Sequence, residues 1–154
     1  MVGIDLAKPY LAFVKRFRAY NDLVLCDIRK PPFRKKALDI VLAMEVLEHL
    51  PKKDGIAFIG EVKKVAKERI VLTTPNGYYA QAALSGIETE RHLSGWTVSE
   101  LKKFGFNVKG FGFRFFRSTK ISYIYHLLGN LFTPVSYLIP EFAGFLVAYL
   151  DVKG

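Results

Sequence analysis

Four short apolar runs of this sequence are each followed by an acidic or amide side chain, namely Asp5, Asp27, Glu45 and Asn76. If the runs are parallel strands, their carboxyl ends meet at one edge of a sheet, which is where open α/β sheets bind ligands. A carboxylate at such a strand end, Asp5 here, can accept hydrogen bonds from both hydroxyls of a ribose. Asp27 could accept one from an adenine amino group in the same way. Each acid could instead serve only to cap the segment that follows it.

A second group of reactive side chains lies in one short segment, where Glu45, Glu48 and His49 stand at positions i, i+3 and i+4. One histidine with two glutamates lacks the His-x-x-x-His spacing and the softer ligands of common zinc sites, so we expect no metal there. His49 or the distant His92 could act as a general base, because an imidazole titrates near neutral pH. A structural role is the alternative for both histidines.

The elements that would position these residues alternate between apolar runs and amphipathic segments. Strands are predicted over residues 2–5, 23–26, 38–44, 70–74, 106–116 and 142–152. Such alternation favours an α/β fold with one sheet that is parallel at first. The last two strands lack a clear helix pattern between them, so we expect them to pair antiparallel, with a bulge around Gly110 and Gly112.

Helix signals fill the intervals between the strands. Pro9 suits the first turn of a helix, and Asp54 can cap the helix after the third strand. Four apolar residues at helical spacing would form the buried face of that helix: Ile59, Val62, Val65 and Ala66. Thr97 and Glu100 have the spacing of a capping box, and Gly105 is suited to end the short helix that follows.

One continuous motif is more specific than any single residue. Residues 38–51 read Leu-Asp-Ile-Val-Leu-Ala-Met-Glu-Val-Leu-Glu-His-Leu-Pro, preceded by Ile4-Asp5-Leu6 and Asp27 and followed by Thr73-Thr74-Pro75-Asn76-Gly77. This arrangement resembles the core of class I S-adenosylmethionine (SAM)-dependent methyltransferases, and it is most similar to the subgroup that includes the quinone-biosynthesis enzymes. The resemblance implies a Rossmann-like, mostly parallel sheet with an antiparallel C-terminal strand pair. It also implies SAM-dependent methyl transfer to an unidentified acceptor.

The resemblance implies roles for individual residues as well. Contacts to SAM are implied for Asp5, Leu6, Asp27, Ile28, Met44 and Glu45. Asn76 and Trp96 would face the methyl acceptor, and His49 and His92 are the candidate catalytic bases. Methyl transfer from a sulfonium needs no covalent enzyme intermediate, so positioning of donor and acceptor would supply most of the rate enhancement.

The sequence departs from that family before Val2, where the family has a strand and a glycine-rich loop whose glycines let the backbone approach the cofactor. In the family this first strand lies between the strands that match residues 2–5 and 38–44. These two strands could therefore pair directly, leave a gap, or receive another chain. We expect a gap or an improvised pairing, and no appreciable methyl transfer by residues 1–154 alone. The competing functions are a non-catalytic module and a partner of a chain that supplies the loop.

Composition limits the partners and the compartment. The 154 residues carry a formal charge of +9 and suit one domain over residues 1–154. This charge favours an acidic partner such as nucleic acid, although a solvated loop is the more common explanation of the basic run at residues 29–36. The single cysteine, Cys26, excludes an intramolecular disulfide, and no signal peptide is visible, so a cytoplasmic location is expected.

An aromatic-rich stretch gives a conflicting indication of the acceptor. Residues 121–140 contain no Asp, Glu, Lys or Arg, but Pro134 would break a membrane-spanning helix. We expect an insertion over residues 117–141 that forms a lid on the acceptor site, with Tyr123, Leu127 and Leu128 turned inward, or that makes a peripheral contact with a membrane. The aromatic residues favour a lipid-like or quinone-like small molecule, whereas the charge favours nucleic acid.

Overall fold

The computed structural model describes residues 1–82, 88–113 and 133–152. The residues predicted to face inward in a lid, Tyr123, Leu127 and Leu128, and the predicted end of the fifth strand lie outside these ranges. Within the described ranges, no helix combines the length and the apolar character needed to cross a membrane.

The described residues form six strands and four helices in chain order. The strands are β1 (Val2–Asp5), β2 (Asp22–Leu25), β3 (Leu38–Met44), β4 (Ala66–Pro75), β5 (Asn107–Phe113) and β6 (Ala143–Asp151). The helices are α1 (Lys8–Lys15), α2 (Lys52–Val65), α3 (Val98–Lys103) and α4 (Thr133–Leu138). Short 3-10 helices cover Leu47–His49, Glu88–Glu90 and Pro140–Phe142.

The strands form two sheets. β1 pairs in parallel with β2, and the other four strands form a sheet in the order β3-β4-β6-β5. β3 and β4 are parallel, whereas β6 is antiparallel to both β4 and β5. The α/β class, the parallel start and the antiparallel closing pair are confirmed. The prediction of one continuous sheet is wrong for the described residues, since β1 and β3 do not pair.

The core lies between the four-stranded sheet and the helices α2 and α3. The predicted face of α2 is buried, with Ile59, Val62 and Val65 each less than 5% exposed, and Ala66 is buried at the start of β4. These side chains recur at helical spacing, and they pack in one cluster with residues such as Leu72 and Leu146 from the sheet. The apolar periodicity of α2 therefore decides which of its faces meets the sheet.

Local sequence signals set the ends of these helices. Thr97 and Glu100 form the predicted capping box of α3, and Gly105 follows the helix with a φ of 86°, a conformation that glycine tolerates best. α2 begins two residues before Asp54, so Asp54 lies in the first turn and is not the cap. Its carboxylate forms an ion pair with Arg29 at 2.9 Å instead.

β5 pairs with β6 without the predicted bulge. The register is continuous from Asn107 opposite Tyr149 to Phe113 opposite Ala143. Gly110 serves a different purpose, because a Cβ at this position would collide with the backbone carbonyl of Ser136 and with the Ala143 side chain. Glycine at 110 therefore allows the chain around α4 to approach the sheet closely.

Candidate functional site

The site begins at the carboxyl end of β3, where the chain turns sharply at Glu45. This residue has a φ of 51°, a left-handed conformation that is uncommon for a residue with a side chain. Its amide donates to the carbonyl of Thr73 at 3.1 Å and to the Thr73 hydroxyl at 3.0 Å, which fixes the turn against β4. The turn leads directly into the 3-10 helix Leu47–His49.

A segment that is distant in sequence, residues 91–96, is hydrogen-bonded to this 3-10 helix. The amides of Leu93 and Ser94 donate to the carbonyl of Glu48 at 2.7 and 3.0 Å. The indole Nε1 of Trp96 donates to the carbonyl of Leu47 at 3.3 Å. These bonds bring the two histidines predicted from the sequence, one from each segment, to the same place.

Between these segments and β4 lies a cavity of about 400 Å³. Its lining combines carboxylates, imidazoles and aromatic rings: Glu45, Glu48, His49, Pro75, Tyr79, Gln81, His92 and Phe145. Three of the sequence-predicted site residues, Glu45, His49 and His92, are therefore brought together at the carboxyl ends of β3 and β4.

Glu48 is the most unusual group in the cavity wall. Its side chain is 1% exposed, and neither carboxylate oxygen has a hydrogen-bond partner. Burial, and after it the negative charge of nearby Glu45, raises the pKa of Glu48 to about 8. From the sequence, Glu48 is only an unsuitable metal ligand, because its burial cannot be inferred from its position in the motif.

The two imidazoles lie beside it and contact each other edge to face, with ring centroids 4.9 Å apart. His49 Nδ1 lies 3.2 Å from the carbonyl oxygen of Arg91, and His92 Nδ1 lies 2.8 Å from that of Tyr79. A carbonyl oxygen only accepts, so in both rings Nδ1 carries the proton and donates. Burial lowers the pKa of His49, which favours the neutral form with an available Nε2 lone pair.

The residues proposed to hold SAM are more scattered. Asp5 is half-buried at the end of β1, and one of its oxygens accepts from the Ala7 amide at 2.7 Å. Both oxygens of Asp27 accept from Arg29, and this pairing holds the pKa of Asp27 below its usual range. Leu6 and Met44 are exposed. Ile28 packs against the core.

Arg29 shows how these residues relate to the cavity. Its guanidinium joins Asp27, which follows β2, to Asp54 in the first turn of α2. α2 in turn follows the carboxyl end of β3 and the 3-10 helix. The ion pairs therefore hold the carboxyl end of β2 on the same side of the molecule as the cavity.

Asn76 and Trp96 differ from the expectation that they face an acceptor. Asn76 is buried, and its side-chain nitrogen donates to the backbone carbonyls of Pro140, Glu141 and Ala143. Trp96 is completely buried in the core, with its indole nitrogen bonded to Leu47 and Ser94. Both side chains fix backbone around the cavity, so their described role is to position other residues.

Tyr79, Gln81 and Phe145 line the cavity without having been predicted. Tyr79 and Gln81 lie in an irregular segment after β4, and Phe145 is one of several apolar residues of β6. Only the alternation of β6 offered a signal, since it places Phe145 and the buried Leu146 on opposite faces of the sheet. Nothing in the local sequence distinguishes the other two.

Comparisons with known proteins agree with this geometry. Residues 1–73 match the model of a family described as a methyltransferase domain. A SAM-dependent methyltransferase from Archaeoglobus fulgidus is similar over 97% of this chain and 75% of its own, at 14% identity and a TM-score of 0.58. A protein from Pyrococcus horikoshii is similar over 99% of this chain and 71% of its own, at 12% identity and a TM-score of 0.59.

A third solved structure is the magnesium protoporphyrin IX methyltransferase of Synechocystis with bound SAM. It is similar over 99% of this chain and 59% of its own, at 14% identity and a TM-score of 0.55. No curated protein matches the chain. At these identities the likeness establishes the fold, which is the α/β fold of class I SAM-dependent methyltransferases with its antiparallel final strands.

Proposed function

We propose that the protein belongs to the class I methyltransferases, in the quinone-biosynthesis-type subgroup, and takes part in SAM-dependent methyl transfer to an unidentified acceptor. The observation that supports this most is the cavity at the carboxyl ends of β3 and β4, placed where open α/β sheets bind ligands. It lies in a chain whose first 73 residues match a methyltransferase domain.

The residues at this edge fit part of a SAM molecule. Asp5 keeps one carboxylate oxygen that the Ala7 amide does not use, and this oxygen can accept from a ribose hydroxyl. Met44 and Glu45 are exposed and therefore accessible to the methionine end, to which the resemblance assigns them. Asp27 fits less well, because an adenine amino group would compete with Arg29 for its oxygens. SAM when bound would supply the activated methyl group.

The histidines give the proposal its chemistry. His49 and His92 both present Nε2 as a proton acceptor, because a backbone carbonyl holds the proton on Nδ1. Either ring can therefore receive the proton of an acceptor hydroxyl or amine placed in the cavity. The geometry favours His92 as the better-held base, since its bond to Tyr79 is the shorter of the two.

A second candidate function is a methyltransferase-like module that needs a further strand from elsewhere. It is favoured by the separation of β1–β2 from the β3-containing sheet. It is also favoured by the apolar side chains Ile40, Leu42 and Met44 of β3, which are 53%, 60% and 58% exposed. An exposed apolar edge strand is usually covered or paired in a native protein.

The two candidates are separated by calorimetric titration with SAM. One sample is the chain of residues 1–154, and the other carries a designed strand, glycine-rich loop and helix fused ahead of Val2. We expect micromolar affinity only in the extended protein, followed by methyl transfer from labelled SAM once an acceptor is found. Micromolar affinity of the unextended chain would remove the need for a supplied strand. Absence of binding in both samples would overturn the methyltransferase proposal.

A further inference from the structure

Three potential metal ligands converge in the cavity wall. Glu48, His49 and His92 each offer one ligand atom, and these atoms all lie within 4.8 Å of one another. They come from two segments that the hydrogen bonds from Leu93 and Ser94 to the Glu48 carbonyl hold together. The cluster is therefore fixed by backbone contacts rather than by chance proximity of flexible side chains.

The buried Glu48 carboxyl group in this cluster has no hydrogen-bond partner among the described residues. Glu48 is 1% exposed, and both of its oxygens lack a hydrogen bond. An unpaired buried carboxylate is strongly unfavourable, and proteins neutralise such groups by protonation, by pairing or by a bound cation. The described residues place no Lys or Arg among the lining of the cavity.

The histidines are oriented as metal-bound imidazoles usually are. In such sites one ring nitrogen binds the ion and the other donates to a backbone carbonyl or carboxylate. His49 and His92 donate from Nδ1 to the carbonyls of Arg91 and Tyr79, so both Nε2 atoms are free to bind an ion.

We propose that Glu48, His49 and His92 form a binding site for a divalent transition-metal ion of the zinc type, with its remaining coordination positions open to the cavity. Two imidazoles and one carboxylate are a known ligand set for catalytic zinc, with bonds of about 2.0–2.2 Å. Ligands at that radius are about 3–3.5 Å apart in a tetrahedral site, so the three atoms need to close by about an ångström. Rotation of the Glu48 carboxylate is sufficient for part of this movement.

This proposal reverses the expectation drawn from the sequence. Glu45, Glu48 and His49 alone contain too few nitrogen ligands, and the second histidine comes from a distant segment that only the fold brings near. A metal with open positions in the cavity could bind a water or an oxygen of the ligand that occupies it and lower the pKa of that group. A bound ion would occupy the Nε2 lone pairs that the proposed function uses as proton acceptors, so an ion-bound hydroxide would have to take that role in the metal-bound protein. Metal binding is measured without SAM, so failure of this test is distinguishable from failure of the proposed function.

The test uses chelator-treated protein titrated calorimetrically with Zn²⁺ alone, and Co²⁺ as a spectroscopic probe of the ligand set. We expect one bound ion per chain, and for Co²⁺ the visible absorption of a low-coordinate site. Glu48→Gln and His49→Gln should each weaken Zn²⁺ binding by at least about 100-fold, since loss of mere second-sphere partners already costs 10–100-fold. Circular dichroism would establish that each variant is folded.

Glu68→Gln is the matched control, because Glu68 is exposed on β4 and takes no part in the cluster. It should bind Zn²⁺ as the unaltered protein does. Failure of the unaltered protein to bind Zn²⁺ at submillimolar concentrations would overturn the proposal. Equal affinity of a folded His49→Gln or Glu48→Gln variant would overturn it as well.

Discussion

The two sheets of this protein differ in how much buried hydrophobic core surrounds them. We refer to β1, α1 and β2 as the two-stranded unit, and to β3–β6 with α2 and α3 as the four-stranded unit. α2 buries five residues, whereas α1 buries none. The rings of Phe13 in α1 and of Phe17 in the turn after it have centroids 5.0 Å apart, but they remain 56% and 65% exposed. Burial of apolar area is the main stabilising term in folding, so the four-stranded unit holds most of the stability.

The difference separates two kinds of function in the molecule. The cavity with its histidines belongs to the stable four-stranded unit and is preorganised. Asp5, the candidate ribose contact, lies on the two-stranded unit. The segment that connects the units, between β2 and β3, is held to α2 by the Arg29–Asp54 ion pair and by a hydrogen bond from the Lys36 amide to the Lys64 carbonyl. A cofactor that touches both units would therefore stabilise the weaker one through its binding energy.

The largest expected effect is on the free energy of unfolding, when one aromatic side chain is removed from each unit in turn. Trp96→Ala removes a fully buried indole from the four-stranded unit and should lower the free energy of unfolding by about 3–5 kcal/mol. Phe13→Ala removes an exposed ring from α1 and should change it by less than about 0.5 kcal/mol. Urea unfolding of both variants is followed by circular dichroism, because Trp96→Ala removes the single tryptophan that fluorescence would need. Similar losses in the two variants would show that the units share one core.

The next effect concerns the chemistry assigned to the two-stranded unit. In the extended protein described above, Asp5→Ala should weaken SAM binding by about 1–3 kcal/mol, because a charge-assisted hydrogen bond to the ribose is lost. Asp5→Asn is the matched control, since its amide oxygen can still accept from the Ala7 amide and keep the turn. Calorimetry that finds equal affinity in the Ala variant and the unaltered protein would exclude Asp5 from the ribose site.

The contrast between the units also explains what could be predicted from the sequence. Within the four-stranded unit, periodicity placed Ile59, Val62 and Val65 on the buried face, and local chemistry placed the capping box at Thr97, because both depend on neighbours in the chain. The split into two sheets depends on which edges pair, a contact between distant segments that periodicity does not encode. Sequence reasoning therefore predicted the elements better than their assembly.

The residues of the candidate site likewise differ in how far the sequence could predict them. Strand ends predicted Glu45, and residue type predicted His49 and His92, which do meet at one cavity. The roles of Asn76 and Trp96 could not be predicted, because a polar or aromatic side chain near a site can either contact a ligand or hold backbone. In the structure both side chains form buried hydrogen bonds to backbone carbonyls, which corresponds to the second role. The isolation of Glu48 depends on burial by several segments and was equally inaccessible.

A smaller effect tests whether local capping contributes to the stable unit. Thr97 Oγ1 accepts from the Glu100 amide at 3.3 Å, and the Thr97 amide donates to the Glu100 carboxylate at 2.9 Å. Thr97→Ala should lower the global free energy of unfolding by about 1 kcal/mol, as loss of an N-cap hydroxyl usually does. Thr97→Ser keeps the hydroxyl and should remain close to the unaltered protein. An unchanged urea midpoint in Thr97→Ala would place α3 outside the cooperative core.

The smallest effect is the sharpest test of whether the two units open separately. The N-cap of α1 is Ala7, whose backbone is extended but whose side chain cannot cap the helix. Ala7→Ser adds a hydroxyl that can share the Tyr10 amide, which already donates to the Ala7 carbonyl at 3.0 Å, and should stabilise α1 by about 0.5 kcal/mol. If the two-stranded unit opens by itself, slower hydrogen exchange will appear at amides of α1 such as Leu11 and not at Leu72 in β4. Ala7→Val, which adds no acceptor, is the control and should leave exchange at Leu11 no slower. An equal slowing at Leu11 and Leu72 in Ala7→Ser would mean that both units open together, since a stabilised helix can protect a distant strand only when the same opening exposes both.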